Sequence, residues 1–304
     1  MRLLLIVNTT ASSVTARRRV RIQHRLGADH KLEVAETWRR GHATRLARGA
    51  ARDGVEAVFV LAGDGTLNEA ADGLAGSATA LAALPGGSTN VFARTLGLPD
   101  DPLAAAEILV ASLDAGRLHR IGVGSANHRR FLFHLGIGFD AAVIERVERF
   151  GFVKRYAGHS AYVLAALDTW FRRFDRSTPW FRAFLPGGDV VGDSGFAIIS
   201  NTSPYTYLGH RPLHVTPAAG LDLPLAVTLF HRLEPGLILR ATASAAGSGR
   251  LLLRHRRIAQ RSGVTHLRVV GHKPFPWQVD GDHLGEVTHL DVRYEPDALT
   301  LVVP

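Results

Sequence analysis

Apolar runs alternate with amphipathic stretches through the first part of the chain. Residues 2–7, 58–61 and 79–84 are short apolar runs, which are typical of strands buried on both faces of a parallel sheet. The stretches between and after them, such as residues 102–113, carry apolar side chains on one face and are predicted as helices. Because strands and helices alternate, the pattern predicts an α/β domain with an open, mostly parallel sheet over residues 1–117.

The pattern changes after Gly116. Residues 120–125 and 131–137 are predicted as two strands of a hairpin. From residue 180 onward, short apolar runs are separated by Pro, Gly and Asn, which is typical of a β-sandwich-like domain. The runs are residues 180–185, 195–200, 225–230, 265–270 and 290–294. We therefore expect a β-rich domain over residues 118–294, followed by a terminal strand in residues 295–304 that returns to the first domain.

One long segment of the second region is predicted to be mostly helical. Residues 141–173 are amphipathic, with basic side chains flanking an apolar and aromatic middle. Such a helix either packs on the β-rich domain or touches a bilayer, and both readings stay open.

The charge of the chain changes what partners are expected. The formal net charge is +9, and only Lys31, Lys154 and Lys273 are lysines, so arginine carries nearly all of the positive charge. An excess of arginine favours anionic partners such as phosphates or acidic lipid headgroups, although a solvated arginine-rich surface explains it equally well. No nucleic-acid-binding motif accompanies the charge, so we do not expect nucleic acid as a partner.

Composition also bears on the compartment. The 304 residues include no cysteine, which excludes disulfides and thiolate metal sites. No apolar run reaches the roughly 18 residues of a membrane span, and the N-terminus lacks a signal-peptide pattern. We expect a cytoplasmic protein, with peripheral contact at the inner face of an anionic membrane and homodimer formation left open.

Two glycine-rich loops are the main candidates for chemistry. Residues 63–66 (Gly-Asp-Gly-Thr) and 85–90 (Pro-Gly-Gly-Ser-Thr-Asn) each follow a predicted strand and precede a predicted helix. Glycine lets backbone N–H groups approach a ligand closely, and a helix N-terminus favours an anion. Either loop alone is explained by an ordinary turn. Two such loops, about 20 residues apart, favour one polyphosphate ligand.

These loops carry a resemblance to a known family. Residues 62–69 (Ala-Gly-Asp-Gly-Thr-Leu-Asn-Glu) resemble the Gly-Gly-Asp-Gly-Thr signature of diacylglycerol kinase catalytic domains, sphingosine kinases and NAD kinases. Residues 85–94 resemble the second lipid kinase motif, Pro-x-Gly-Thr-x-Asn-Asp-Phe-Ala-Arg, with Ser88 in place of threonine and Val91 in place of aspartate. Over nearly its whole length the chain is similar to bacterial diacylglycerol kinase-like lipid kinases.

The resemblance implies that ATP binds at the strand ends of the first domain. Asn8 matches the first nucleotide loop of the family, and Thr37 matches a threonine near the adenosine. The expected ATP-binding residues are Asn8, Thr9, Thr10, Ser12, Thr37, Gly63, Asp64, Gly65, Thr66, Asn68, Glu69, Ser88 and Asn90.

The resemblance also implies catalytic residues in the second domain. Residues 279–282 (Val-Asp-Gly-Asp) resemble a Val-Asp-Gly-Glu motif that supplies the proposed general base, so Asp280 and Asp282 are the expected catalytic residues, with Asp280 favoured. An Asp-Gly turn at a hairpin tip explains the same residues without catalysis. Asp140, in a Gly-x-Gly-x-Asp-Ala motif, is expected either in a polar network or as a helix N-cap.

A structural Mg²⁺ site is implied in the same domain. By position its ligands would be the Asp222 carboxylate and the carbonyls of Ala219 and Pro224. Oxygen ligands suit Mg²⁺. A turn aspartate is the alternative explanation for Asp222.

Together these residues predict an ATP-dependent lipid kinase that phosphorylates a hydroxyl of diacylglycerol or a related lipid, with Mg²⁺ neutralising charge on the phosphates. The chain has no Gly-x-x-x-x-Gly-Lys-Ser/Thr motif, so residues 63–66 would hold the phosphates. An NAD kinase-like enzyme shares Gly-Asp-Gly-Thr and is one alternative. A non-catalytic nucleotide- or lipid-binding protein is the other, because Val91, Leu223 and Ala226 depart from the family pattern.

Overall fold

The computed structural model describes residues 1–149, 168–169, 175, 178–232, 234–250 and 255–304. The chain divides into two compact units. The first unit comprises Met1–Val123 and Pro296–Pro304, and the second comprises Gly124–Glu295.

The first unit is a parallel sheet with helices between its strands. The strands are β1 (Arg2–Val7), β2 (Lys31–Glu36), β3 (Ala57–Ala62) and β4 (Ala80–Pro85). The helices are α1 (Ala16–Gly27), α2 (His42–Arg52), α3 (Asp64–Leu74), α4 (Val91–Thr95) and α5 (Pro102–Asp114). The strand order is β2-β1-β3-β4, and all of these neighbours pair in parallel.

The last strand of the chain completes this sheet. Near the C-terminus, Thr300 and Leu301 pair in parallel with Ala80 and Leu81 of β4. These residues are the end of one long strand, Asp282–Val302, whose last part belongs to the first unit.

Local sequence explains the strand positions in the first unit. Every residue of β3 and β4 is buried, as expected for central strands covered on both faces. The edge strand β2 exposes charged residues such as Lys31 and Glu33, which protects its free edge from pairing with another chain. Helix α2 can pack closely on α3 because Gly73 has no Cβ. A Cβ there would overlap the carbonyl oxygen of Thr44.

The second unit is mostly antiparallel. Its strands, of which the first and last continue from or into the first unit, are β5 (Leu118–Ala126), β6 (Arg129–Phe131), β7 (His134–Gly138), β8 (Phe181–Phe184), β9 (Val190–Ser194), β10 (Phe196–Ser200), β11 (Thr206–Leu208), β12 (Arg211–Leu213), β13 (Leu225–Phe230), β14 (Ile258–Val264), β15 (His266–Val279) and β16 (Asp282–Val302). Two helices accompany them, α6 (Phe139–Arg149) and α7 (Pro235–Ala245). The main strand order is β14-β13-β10-β7-β15-β16, while β8 joins β15 and β9 joins β8.

Alternation along the strands builds the core of the second unit. Leu135 and Ile137 of β7 pack with Ile199 of β10 and Val279 of β15 in one buried apolar cluster. The alternate residues of β7, His134 and Gly136, lie on the opposite face of the sheet. Their polar partners Ser200 of β10 and Gln278 of β15 lie on that same face.

The predicted fold class, an α/β layer followed by a strand-rich region, is confirmed. Two local details differ from the sequence-based expectation. Helix α3 begins at Asp64, so Asp-Gly-Thr, which was expected as a loop before the helix, is its first turn. The single strand predicted over residues 131–137 is two strands, because the N–H groups of residues 132–134 are bound by a side chain.

Part of the long helix predicted over residues 141–173 lies outside the described residues, which retain 141–149 and 168–169 of it. Among the helices that the structure describes, none combines the length and apolar character needed to cross a bilayer.

Candidate functional site

Three loops meet at the carboxyl ends of β1, β3 and β4. The Asn8 side chain, after β1, donates from Nδ2 to the hydroxyl of Thr66 after β3, over 3.2 Å. Ser13, later in the first loop, donates its N–H to the Gly86 carbonyl, after β4, over 2.9 Å. The hydroxyl of Ser13 also donates to the Gly87 carbonyl at 3.0 Å. Hydrogen bonds thus join all three loops into one surface.

Glycines allow the second and third loops to touch. A Cβ at Gly86 would lie 2.6 Å from the Ala62 nitrogen, and a Cβ at Gly87 would lie 2.8 Å from the Gly63 Cα. Such distances are too short for real side chains, so both positions require glycine. Gly65 differs, because a Cβ there would meet no atom within 4 Å. The backbone at Gly65 therefore faces open space, as a backbone that binds phosphate must.

Asp64 connects two helix N-termini. It stands in the first turn of α3, and its carboxylate accepts the N–H groups of Val91 and Phe92, at the start of α4, over 3.0 and 3.2 Å. Burial raises the pKa of the Asp64 carboxyl, and the hydrogen bonds from the two backbone N–H groups act to lower it. The N–H groups of Gly65 and Thr66 lie in the helix turn that has no intrahelical acceptors.

The other residues predicted for the nucleotide divide into exposed and structural groups. Asn90 adopts a left-handed conformation with φ 49°, and its side chain exchanges two hydrogen bonds with the Gly87 backbone. Asn8 also accepts from both the N–H and the hydroxyl of Thr10, which shapes the first loop. The exposed members of the predicted set are Thr9, Thr10, Ser12, Gly65 and Ser88.

Glu69 and Asn68 lie further along α3. The Glu69 carboxylate accepts the N–H groups of Gly41 and Ala43 at the start of α2, over 2.8 and 3.2 Å. Asn68 is buried within the unit. The contacts of Glu69 hold the loop that follows β2, and Thr37 begins that loop with its N–H bound to the Val7 carbonyl at 2.9 Å. The sequence pattern identified Glu69 but not this role.

Asp280 stands at a hairpin tip in the second unit. Asp280 and Gly281 have positive φ of 49° and 85° and connect the paired residues Val279 and Asp282, as in a type I′ turn. The Asp280 carboxylate is buried and accepts three N–H groups, those of residues 132, 133 and 134, at 2.7, 3.0 and 2.9 Å. Asp282 is partly buried and begins β16.

Asp140 belongs to a buried polar network beside this turn. Its carboxylate accepts from the Tyr205 hydroxyl at 2.5 Å and from the Gln278 amide at 2.7 Å. Burial raises the pKa of the Asp140 carboxyl, and these two hydrogen bonds oppose the rise. A Cβ at Gly136 would overlap the carboxylate, which explains the first glycine of the Gly-x-Gly motif. Gln278 also accepts the Gly281 N–H at 2.7 Å, so the network reaches the hairpin tip.

The sequence pattern missed His134. Burial lowers the pKa of the His134 imidazole to about 3, so the ring is neutral at neutral pH. Its centroid lies 4.3 Å from the Tyr205 ring. Ser200 stands opposite His134 in the register of β10 and β7, on the same face of the sheet.

The residues predicted for Mg²⁺ lie in turns before β13. The Ala219 N–H donates to the Thr216 carbonyl at 3.1 Å, and Asp222 is exposed. Within the described ranges, no group of three or more His, Cys, Asp or Glu side chains is placed to hold a metal ion. With Asp222 as one carboxylate, a Mg²⁺ here would depend on carbonyl oxygens, including those of Ala219 and Pro224, and on water. This site stays a prediction.

Comparisons with known proteins find a family match that covers the sheet and helices of the first unit. Residues 2–126 match the model of the diacylglycerol kinase catalytic domain. A protein of Chromohalobacter salexigens named "Probable lipid kinase YegS-like" is 33% identical over 180 residues, which are 54% of this chain and 56% of the relative. A "Diacylglycerol kinase" of Mycobacterium tuberculosis is 33% identical over 169 residues, which are 54% of this chain and 52% of the relative. The resemblance predicted from the sequence is confirmed, although the chain spans about half the length of these relatives.

Solved structures extend the similarity to the whole fold. A diacylglycerol kinase from Bacillus anthracis strain Sterne aligns with a TM-score of 0.71 and 20% identity, over 100% of this chain and 97% of that chain. Another crystal structure from the same strain aligns with a TM-score of 0.76 and 23% identity over the same shares. At these identities the similarity establishes the two-unit fold.

Proposed function

We propose that this protein is an ATP-dependent lipid kinase that transfers the γ-phosphoryl group to a hydroxyl of diacylglycerol or a related lipid. The observation that carries the proposal is the set of three joined loops at the strand ends, in a region that matches the diacylglycerol kinase catalytic domain. Carboxyl ends of parallel strands are the usual ligand edge of an open α/β sheet. The relatives named as lipid kinases support the choice of acceptor.

Residues of the first unit would bind the triphosphate. The open backbone at Gly65 and the first turn of α3 would face the phosphates, where the partial positive charge of the helix N-terminus stabilises an anion. Asp64 would fix the distance between α3 and α4 through its two backbone hydrogen bonds. Mg²⁺, when bound with ATP, would neutralise charge on the β- and γ-phosphates.

Asp280 and Asp282 would share the second unit's part of the reaction. A general base must take up the proton of the lipid hydroxyl. The Asp280 carboxylate accepts three backbone N–H groups, and taking up a proton would remove the negative charge that strengthens those hydrogen bonds. Asp282 would then take the proton, and Asp280 would position it through the turn.

Transfer of radiolabel from ATP tests the proposal. Incubation with [γ-³²P]ATP, Mg²⁺ and a total lipid extract should label a lipid that chromatography separates from free phosphate. A parallel incubation replaces the lipid extract with NAD, and label that appears on NAD there but not on lipid would identify an NAD kinase. Binding of ATP with no labelled product would identify a non-catalytic protein, and either result would overturn the proposal.

Gly65→Val should weaken ATP binding while the fold persists. The branched side chain would occupy the open space that faces the phosphates, and no atom within 4 Å would clash with its Cβ. We expect ATP affinity, measured by calorimetry, to fall at least about tenfold, or about 1.4 kcal/mol. An unchanged melting temperature is the control. Unchanged ATP affinity would remove this loop from the site.

Anionic vesicles should bind the first unit through α1. Arg17, Val20 and Arg21 share one face of α1, and Val20 is 62% exposed. We propose that this face meets acidic headgroups, an attraction of about 1 kcal/mol per arginine near the surface. Sedimentation with anionic vesicles should exceed that with neutral vesicles at 0.1 M salt, and 1 M salt should abolish the difference because the Debye length falls to about 3 Å.

A matched pair of double variants locates this contact. Arg17→Glu with Arg21→Glu should greatly reduce sedimentation with anionic vesicles. Arg211→Glu with Arg256→Glu makes the same change in net charge on exposed residues of the second unit and should have a much smaller effect. Equal losses in the two double variants would show that net charge alone, and not α1, sets the attraction.

A further inference from the structure

Trp38 is an exposed tryptophan in the loop after β2. Its side chain is 78% exposed, the highest value among the large apolar side chains that the structure describes. A single exposed apolar residue is common on protein surfaces and needs no explanation by itself. What indicates a role for Trp38 is its position relative to the three joined loops at the carboxyl ends of β1, β3 and β4.

Trp38 lies at the same sheet edge as the three joined loops. In the parallel pairing of β1 and β2, Val7 stands opposite Glu36. The two strands therefore end at the same edge of the sheet and continue into Asn8 and Thr37. Neighbouring strands are about 4.8 Å apart, so the ends of β2 and β3 are separated by about 10 Å across β1. In ATP, the adenine is separated from the β- and γ-phosphates by the ribose and the α-phosphate. A nucleotide with its phosphates at the end of β3 can therefore extend its base toward the end of β2.

The loop that carries Trp38 is held by α3, the helix that begins within residues 63–66. Glu69 of α3 accepts the N–H groups of Gly41 and Ala43, and the N–H of Trp38 itself donates to the His42 ring at 3.3 Å. The start of the loop is fixed as well, because the Thr37 N–H donates to Val7. Hydrogen bonds thus hold both ends of the loop, one to β1 and the other to α3. The exposed indole is carried by a backbone that is bound to the same elements as the three joined loops.

We propose that the indole of Trp38 stacks on the adenine of ATP. The inference rests on the proposed function, since it requires ATP at the three loops. A planar aromatic side chain offers a face to any nucleobase, and such stacking depends little on which base is present. Trp38 would therefore increase affinity for nucleoside triphosphates over inorganic polyphosphate without selecting adenine strongly over guanine.

The test compares ATP with inorganic tripolyphosphate, which carries phosphates and no base. Calorimetry on the full chain should show that Trp38→Ala weakens ATP binding about 5- to 100-fold, as alanine substitution at stacking positions does, and changes tripolyphosphate affinity less than twofold. Trp38→Phe keeps an aromatic face and should retain most of the ATP affinity. Leu118→Ala, which truncates another exposed apolar residue of the first unit, should change neither affinity.

Tryptophan fluorescence gives a second readout. ATP should quench emission of the wild-type protein, tripolyphosphate should not, and Trp38→Phe should lose the ATP-dependent change. An unchanged ATP affinity in Trp38→Ala, or an equal loss for both ligands, would overturn the proposal. So would a loss that affects only sedimentation with lipid vesicles, which would make the bilayer the partner of Trp38. A wild-type protein that binds neither ligand would instead overturn the proposed function itself.

Discussion

Asp280→Asn should destabilise the second unit strongly. The carboxylate accepts three backbone N–H groups from residues 132–134, and it is buried. Asparagine retains one acceptor oxygen and turns the other into an N–H₂ donor that opposes a backbone N–H. Hydrogen bonds to charged groups contribute about 1.5–3 kcal/mol each, so we expect a loss of about 2–4 kcal/mol in the free energy of unfolding. For a unit of this size the melting temperature should fall by the order of 10 °C.

Asp282→Asn is the matched control for this prediction. It changes a carboxylate two residues away, which is only partly buried, and should leave the melting temperature nearly unchanged. If Asp282 is the base, this variant should bind ATP normally and lose about 10²–10⁴-fold in turnover. An Asp280→Asn protein that keeps the wild-type melting temperature but loses turnover would assign the chemistry to Asp280, as the sequence motif favours. Scanning calorimetry beside the radiolabel assay separates these outcomes.

The same contact shows what the sequence could and could not predict. The apolar run Leu225–Phe230 was predicted with the bounds that β13 has, because a short apolar run bounded by Pro and His is a local property. The division of residues 131–138 into β6 and β7 is not local. It depends on a carboxylate that lies 148 residues further along the chain than Leu132, and no periodicity near residue 132 contains that information.

The two glycine-rich loops likewise combine features that the sequence predicts with features that it does not. Glycine-rich turns after β3 and β4 could be predicted, since strand, turn and helix patterns follow each other in the sequence. The start of α3 at Asp64 could not, because Asp-Gly-Thr is a poor helix former and the helix depends on Gly63 as its extended N-cap. The roles of Ser13 and Glu69 were also not predictable, since each bonds to backbone groups that only the folded sheet brings near.

Trp38 illustrates a third case, in which the sequence shows the residue but does not predict its surroundings in the fold. Its place after β2 could be predicted from the sequence, but its exposure could not. The loop that carries it is held by Glu69 of α3, which accepts N–H groups at the start of α2. The signal available in the sequence was an aromatic residue beside the predicted adenosine threonine, Thr37.

Gly86→Ala should separate the two glycine-rich loops, residues 63–66 and 85–90, and strongly weaken ATP binding. A Cβ at this position would lie 2.6 Å from the Ala62 nitrogen and 2.8 Å from its Cα, which are backbone atoms that cannot rotate away. The β4 loop must therefore move, which strains the hydrogen bonds from Gly86 N–H to the Ala62 carbonyl and from Ser13 N–H to the Gly86 carbonyl, each 2.9 Å. Overpacking of this kind costs about 1–3 kcal/mol of stability. Because the proposed triphosphate site depends on the loops lying together, ATP affinity should fall more than in Gly65→Val, by about 100-fold or more.

Gly65→Ala adds the same methyl group where no atom lies within 4 Å, so its melting temperature should stay at the wild-type value. Scanning calorimetry and ATP titration of this pair give the answer, and similar ATP affinities in the two variants would show that the contact between the loops does not form the site.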